Sequence, residues 1–288
     1  MSELKQKRPL THLVRIASLA ALAAGLAACA GNSDVRDAQQ YVEEPVSEIY
    51  NRGADLLDRR RWTEAVAAFE EVERQHPYSS WARRSMLMTA YANYQANRYE
   101  EAITAAQRFI TLHPGNEGAP YAYYLIATCY FEQIVDVGRD QRTTELALQA
   151  LQEVTRRFPN TPYARDASLK IDMTNDQLAG KEMDVGRFYL RQNQALPAIN
   201  RFRTVVENES YQRTTHAPEA LHRLVEAYLT IGMTEEAQRA AAVLGYNYPG
   251  SEWYARTYEL MTGENVPIVG EEEAERRGWL SRTVGRLF

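Results

Sequence analysis

Thiols, imidazoles and paired carboxylates are the groups in this 288-residue chain that could do chemistry, and their spacing supports none. The five histidines are His12, His76, His113, His216 and His222, and no two stand in an HExxH context. The two cysteines, Cys29 and Cys129, form no CxxC pair. The chain has no Gly-rich phosphate loop and no GxSxG. Asp136 and Asp140 sit beside Arg139 and Arg142, a pattern that suits a solvated charged loop better than an acid/base pair. His76 and His113 precede Pro77 and Pro114, where a cation favours a helix C-terminus. Cys129 lies in an apolar helical pattern, the setting of a packed small hydrophobe. No enzyme, metal or cofactor is expected. The formal net charge of −5 also argues against nucleic acid as a partner.

Cys29 stands apart. Lys5, Lys7, Arg8 and Arg15 precede an uncharged apolar run of 13 residues, Ile16 to Ala28. Such a run is too short to span a hydrocarbon core of roughly 30 Å, and with its basic flank it reads as an export signal. The run ends Leu26-Ala27-Ala28-Cys29, which resembles the lipobox of bacterial lipoproteins, cut before a diacylated cysteine. Acyl chains on Cys29 contribute about 0.8 kcal/mol per buried methylene, enough together to hold a protein on a membrane without a spanning helix. Ala30 follows where an Asp favours retention at the inner membrane, so the outer membrane is the expected address. Removing residues 1–28 takes away four positive charges and Glu3, leaving a mature net charge near −8 (−5 minus +3). With Cys29 lipidated, Cys129 has no partner for an intramolecular disulfide. Residues 29–45 read as a tether.

The strongest signal lies beyond the tether. Ala65, Phe69, Val72 and Pro77 recur at the same offsets as Ala102, Ala106, Phe109 and Pro114. They recur again as Ala147, Leu151, Val154 and Pro159, and as Ala237, Ala241, Leu244 and Pro249. Ala198, Phe202 and Val205 form a copy without the proline. Upstream of each alanine lies a second conserved-size position: Gly53, Ala90, Ala127, Gly186 and Val225, the third displaced by an eight-residue insertion near Ile134–Gln141. Small residues let two helices approach, large ones fill the groove between them, and the proline ends the second helix. Ser79, Asn116, Thr161 and Ser251 follow the prolines as expected N-caps. This is the pattern of the tetratricopeptide repeat, and it predicts an all-α solenoid of five helix pairs.

The spacing from proline to the next small residue is 13 in two copies and 27 from Pro159 to Gly186. About 14 extra residues, roughly 21 Å of helix, therefore make one long linking helix at about Tyr163–Gln192, with Gly180 a candidate bend. A capping helix is expected at about Glu252–Met261. Residues 263–288 read as a tail. Glu271–Glu273 are followed by Arg276, Arg277, Arg282 and Arg286 among Trp279, Leu280 and Leu287. Both a disordered end and a short amphipathic docking segment fit that pattern. In repeats 1–3, the register places Tyr50, Ala54, Leu57, Leu87, Tyr91, Tyr94, Tyr124, Thr128 and Phe131 on the concave side, with Tyr121 a turn earlier. Such a row suits an extended or hairpin peptide with apolar and aromatic side chains; packing into neighbouring helices is the alternative use.

Three stretches then resemble a known family. They are Glu48-Ile49-Tyr50, the insert Ile134–Gln141, and Gly180–Tyr189 running into Ala198-Ile199-Asn200-Arg201-Phe202. With the lipobox and five repeats, residues 29–262 resemble the BamD family, lipoprotein subunits of the outer-membrane β-barrel assembly machinery. The resemblance implies that residues 46–163, repeats 1–3, receive unfolded outer-membrane proteins. It implies that residues 164–262 dock on the barrel subunit BamA at its membrane-proximal POTRA domain, beside other Bam subunits. The family's partner-contacting arginine falls on Arg201. The competing expectation is a periplasmic repeat lipoprotein that scaffolds cell-wall or division enzymes.

Overall fold

The computed structural model describes residues 44–263, so Cys29, most of the tether and the tail lie outside the described residues. Helix α1 (Val46–Asp58) pairs with α2 (Trp62–Gln75), and α3 (Ser80–Gln95) with α4 (Tyr99–Leu112). Helix α5 (Ala119–Glu132) pairs with α6 (Arg142–Arg157). The long α7 (Pro162–Arg191) pairs through its second half with α8 (Ala195–Glu207). A 3₁₀ turn (Tyr211–Arg213) leads to α9 (Ala217–Thr230), α10 (Thr234–Asn247) and the capping α11 (Glu252–Thr262). No strand occurs among the described residues, and the all-α repeat architecture is as expected. Among the described residues, those from Val46 to Gly263 belong to one compact unit, so repeats 1–3 and 4–5 are halves of a single solenoid.

Repeats 1, 3 and 4 are held at the small position. A Cβ on Gly53 would lie 2.7 Å from Phe69 Cε1, and one on Gly186 would lie 2.4 Å from Phe202 Cε1. Both phenyl rings are fully buried. The ring lies where a side chain would otherwise begin, and the two helix axes close around it. Repeat 3 fills the same place with Leu151 in the cluster of Ala127, both fully buried, whereas repeats 2 and 5 have Ala106 and Ala241 where the ring would be.

Helix ends follow the local chemistry. His76, His113, Phe158 and Tyr248 all stand before proline, where the α region is disfavoured. All four take the same backbone, φ −129° to −136° and ψ 51° to 56°, and each N–H still closes the last turn. Ser79, Thr161 and Ser251 cap the following helices, accepting from Ala82, Ala164 and Trp253 N–H at 3.0, 3.2 and 3.2 Å. Asn116 departs from the expectation. Its Oδ1 accepts from Gly118 N–H at 2.8 Å in a turn, and α5 begins only at Ala119, with Pro120 in its first turn. Gly118 is needed there because a Cβ would meet Leu87 Cδ1 at 2.5 Å. Within repeats 1, 2, 4 and 5 the turn between helices has one left-handed residue: Arg60, Asn97, Asn193 and Gly232.

The insert replaces that turn in repeat 3. The buried Gln141 amide donates to the carbonyls of Asp136 and Arg139 at 3.3 and 3.1 Å, and its Oε1 accepts from Thr144 Oγ1 at 2.9 Å. Asp136 and Asp140 are exposed and accept backbone N–H bonds, so they shape a loop. The loop is tied to the long helix by Gln177 Nε2 to Val135 O (2.9 Å) and Lys181 Nζ to Gly138 O (3.2 Å). Helix α7 runs without interruption through Gly180, which serves close approach: a Cβ there would lie 3.0 Å from His216 Nε2 and 3.3 Å from Val137 Cγ1.

The capping helix is locked by a polar cluster. Buried His222 on α9 places Nδ1 2.8 Å from Thr257 Oγ1 on α11, and its Nε2 lies 3.4 Å from Glu226 Oε1. Arg223 donates to Glu226 at 2.7 Å, and Arg223 and Arg256 stack on Trp253 at 5.3 and 4.7 Å. Burial pushes the Glu226 carboxyl up, but hydrogen bonds from His222 and Arg223 outweigh it and hold the group at about 2, below its ordinary 4.5.

Two predictions follow from these contacts. Gly186→Ala should destabilise the fold by about 1–3 kcal/mol, the cost of overpacking, and Phe202→Leu in that background should recover part of it, read by urea unfolding. The depressed carboxyl of Glu226 stabilises the folded state above pH 4.5, and that contribution disappears as pH falls from 4.5 towards 2. Glu226→Gln should therefore flatten the fall in stability over that window; an unchanged slope would count against the cluster as a clamp.

Candidate protein-binding surfaces

The first helices of successive repeats stack on one another, α1 on α3, α3 on α5, α5 on α7. That stacking decides the fate of the expected concave row. Leu57 is buried with Ala65, Phe69 and Ala92 and belongs to the core, not to an accessible groove. Thr128 is also buried, donating to Tyr124 O at 2.9 Å. Ala54, Tyr50, Leu87, Tyr91, Tyr94, Tyr121, Tyr124 and Phe131 are half-buried.

The half-buried rings touch the next helix along. Tyr50 packs edge-on to Phe69 at 5.4 Å and lies 4.8 Å from Trp81 at the start of α3. Leu87 reaches the α5 N-terminus at Gly118. Tyr94 lies 6.1 Å from Tyr99, and Tyr91 packs in the cluster around Phe69 and Ala92. Tyr121 and Tyr124 flank Tyr163 of α7 at 5.7 and 5.3 Å. Tyr124 Oη donates to Asp166 Oδ2 at 2.6 Å, Lys170 pairs with Asp166 at 2.9 Å, and Lys170 Nζ lies 5.3 Å over the Phe131 ring. Sequence reasoning did not assign Trp81, Tyr163, Asp166 or Lys170 to this surface. The signal was present for the first two, as aromatics that recur just after the caps.

Burial pushes the Tyr94 phenol up to about 12. Burial, then the hydrogen bond to Asp166, lifts Tyr124 to about 12 as well, and burial raises Tyr121. These phenols stay neutral and keep their O–H donors. The arrangement offers ring faces and hydroxyls set in place by packing, which is recognition chemistry and not proton transfer. Among the described residues no group of three or more His, Cys, Asp or Glu is placed to hold a metal. Burial also lifts the Cys129 thiol to about 12, consistent with a packed side chain and not a nucleophile.

Arg201 lies on α8, about half exposed, and its Nη1 donates to Glu182 Oε2 of α7 at 3.1 Å. It borders a shallow hollow of about 210 Å³ with Tyr189, Pro197, Asn200 and Thr204. Tyr124 bonds α7 at Asp166 and Arg201 bonds it at Glu182, so the two contacts are set about 24 Å apart along that helix.

No described helix is long and apolar enough to cross a membrane. The family described as "YfiO: Outer membrane lipoprotein" matches residues 42–244. The outer membrane protein assembly factor BamD of Caulobacter vibrioides is 60% identical over 85% of this chain and 79% of its own length. That of Rickettsia prowazekii is 44% identical over 82% and 92%. A solved tetratricopeptide-repeat protein of Thermus thermophilus, 17% identical, covers 75% of this chain and 99% of its own with a TM-score of 0.33. By its match across the solenoid and its identity to these relatives, the chain belongs to the YfiO outer membrane lipoprotein family, the family of the BamD assembly factors.

Proposed function

We propose that this chain is a non-catalytic, outer-membrane-anchored subunit of the β-barrel assembly machinery. It is held on the periplasmic face by lipid on Cys29. Repeats 1–3 receive unfolded outer-membrane proteins, and repeats 4–5 dock on the POTRA region of BamA. The observation that carries the reading is the continuous row of half-buried aromatic rings from Tyr50 to Phe131 in a chain of this family. Ordered rings offer a large contact area at little further entropy cost, as a receptor for apolar and aromatic segments requires. Arg201 supports the second contact. Its partner Glu182 is in the same chain and the pair is half exposed, so exchanging Glu182 for a carboxylate on another protein costs little.

Peptides ending in Phe should change the fluorescence of the full chain, with Trp81 as a reporter beside Tyr50. Tyr91→Ala should weaken that binding by more than about 1 kcal/mol, the scale of losing one aromatic anchor. Tyr124→Phe keeps the ring and loses the bond to Asp166, and so separates ring contact from hydroxyl contact. No fluorescence change in the parent chain would remove the receptor reading. On isolated membranes, Cys29→Ser should release the protein. Arg201→Glu should leave it membrane-bound but recover less of the barrel subunit in a detergent pull-down. Full recovery with Arg201→Glu would show that Arg201 is not the docking contact.

A further inference from the structure

The second helices of successive repeats do not stack as the first helices do, and each neighbouring pair leaves a groove over the helix between them. Four repeat positions line the grooves between repeats 1 and 2 and between repeats 4 and 5. Between repeats 1 and 2 they are Thr63 and Glu73 on α2, facing Arg98 and Arg108 by α4. Arg98 Nη2 donates to Thr63 Oγ1 at 2.7 Å, and Arg108 donates to both Glu73 oxygens, one at 3.1 Å. Two polar bridges cross that groove, which still holds a hollow of about 500 Å³ over Met86, Thr89 and Asn93. Between repeats 2 and 3 the same places hold Glu100, Ile110, Thr143 and Glu153. Between repeats 3 and 4 the long α7 breaks the register, and Glu145 and Gln149 of α6 share a hollow with Leu178, Lys181 and Glu182 of α7 and with Tyr211.

Between repeats 4 and 5 all four are apolar: Leu196 and Val206 face Met233 and Val243. No bridge crosses, and a groove of about 670 Å³ lies open on a floor that includes Ile199, Leu221 and Leu224. Leu196 is 65% exposed, Val243 43% and Met233 38%. Four apolar side chains in register, at places that are all polar between repeats 1 and 2 and apolar only at Ile110 between repeats 2 and 3, are a surface that something covers.

The chain carries a segment of matching form. Helix α11 packs on α9 and α10, two of the three helices that line the groove, and ends at the left-handed Gly263. The 15 residues 264–278 can reach up to roughly 50 Å when extended. After them Leu280, Val284 and Leu287 fall at i, i+4 and i+7, one apolar face of a helix, with Arg282 and Arg286 on the opposite side. Residues 279–288 as a helix are about 15 Å long, and the α8 wall from Leu196 to Glu207 is about 16 Å. At the rims Glu207 pairs with Arg203 and Glu236 with Arg239, so the match between tail and groove is one of apolar form and length.

We propose that residues 279–288 of this chain dock in the groove between repeats 4 and 5, laying Leu280, Val284 and Leu287 on Leu196, Val206, Met233 and Val243. This binding mode is a helix in an apolar groove, with charged residues at the rim. The inference does not rest on the client or BamA readings above, because it concerns another face and a contact within one chain.

The test is thiol labelling at the groove in the full chain in detergent. Val243→Cys should react with a maleimide about tenfold more slowly than the same variant carrying Val284→Glu and Leu287→Glu, read by mass at residue 243. The two tail changes lie outside the solenoid, so unfolding of the helices is not in play; Arg108→Cys, the same place in the bridged groove, should label equally with and without them. Dilution separates the occupants. Protection that persists on dilution is docking within one chain, and protection lost on dilution is a second copy and overturns the proposal. Equal rates with and without the tail changes also overturn it, fast rates showing an open groove and slow rates another protein seated there.

Discussion

One contact sets the geometry of repeats 1, 3 and 4: a large residue of the second helix pressed onto a small residue of the first. A single helix pair cannot bury both its faces, so it is stable only with a neighbour on each side. The ring of Phe69 over Gly53 and of Phe202 over Gly186 brings the paired helices to their closest approach. That approach turns the first helices towards one another, so that they stack, and spreads the second helices apart. Everything else follows from this asymmetry. The stacked side collects the half-buried aromatics, and the spread side opens grooves that side chains must bridge or leave apolar.

The insert and the linking helix break the repetition at one place. A normal turn with a left-handed residue closes four of the repeats, but repeat 3 leaves through a loop built around the buried Gln141 amide. That loop is bonded to Gln177 and Lys181, and the segment after α8 bonds to the same stretch, Thr215 donating to Asp176 at 3.0 and 2.9 Å. The middle of α7 therefore takes contacts from before and after it in sequence. A helix of 30 residues held only at its ends would be a lever; braced at its middle, it fixes the spacing between the aromatic row and Arg201.

Most of the solenoid was legible because its rules are local. Repeated alanines, prolines and caps each act within a few residues, and they located all ten repeat helices, the long helix to within a residue, and the capping helix. Asn116 misled because a rival local use won: its side chain closes a turn onto Gly118 N–H, and α5 starts two residues later with Pro120 in its first turn. Leu57 also misled. Helical register places it near the concave side, but its side chain packs inward with Ala65, Phe69 and Ala92. The partners of the aromatic row were also hidden. Tyr163, Asp166 and Lys170 belong to a helix that reaches the row only after three repeats have stacked, and no spacing within one repeat encodes that.

The aromatic row gains from being half-buried. A fully exposed tyrosine has to be ordered by its ligand, at a cost of about 0.5–1.5 kcal/mol for an immobilised side chain. Here neighbouring rings and Asp166 have already ordered it within the fold. The same burial raises the phenols and keeps their hydroxyls as neutral donors, so the row does not acquire charge that would repel an apolar segment. Under the proposed function, an unfolded segment laid on the row would meet fixed ring edges and faces with few polar demands. Such a surface discriminates by size and apolarity more than by exact sequence, because no buried polar group on it insists on a particular partner. The apolar groove between repeats 4 and 5 differs in kind. It has no hydroxyl row and no ordered network, only four aliphatic side chains in register. That suits one fixed helix far better than a changing set of clients.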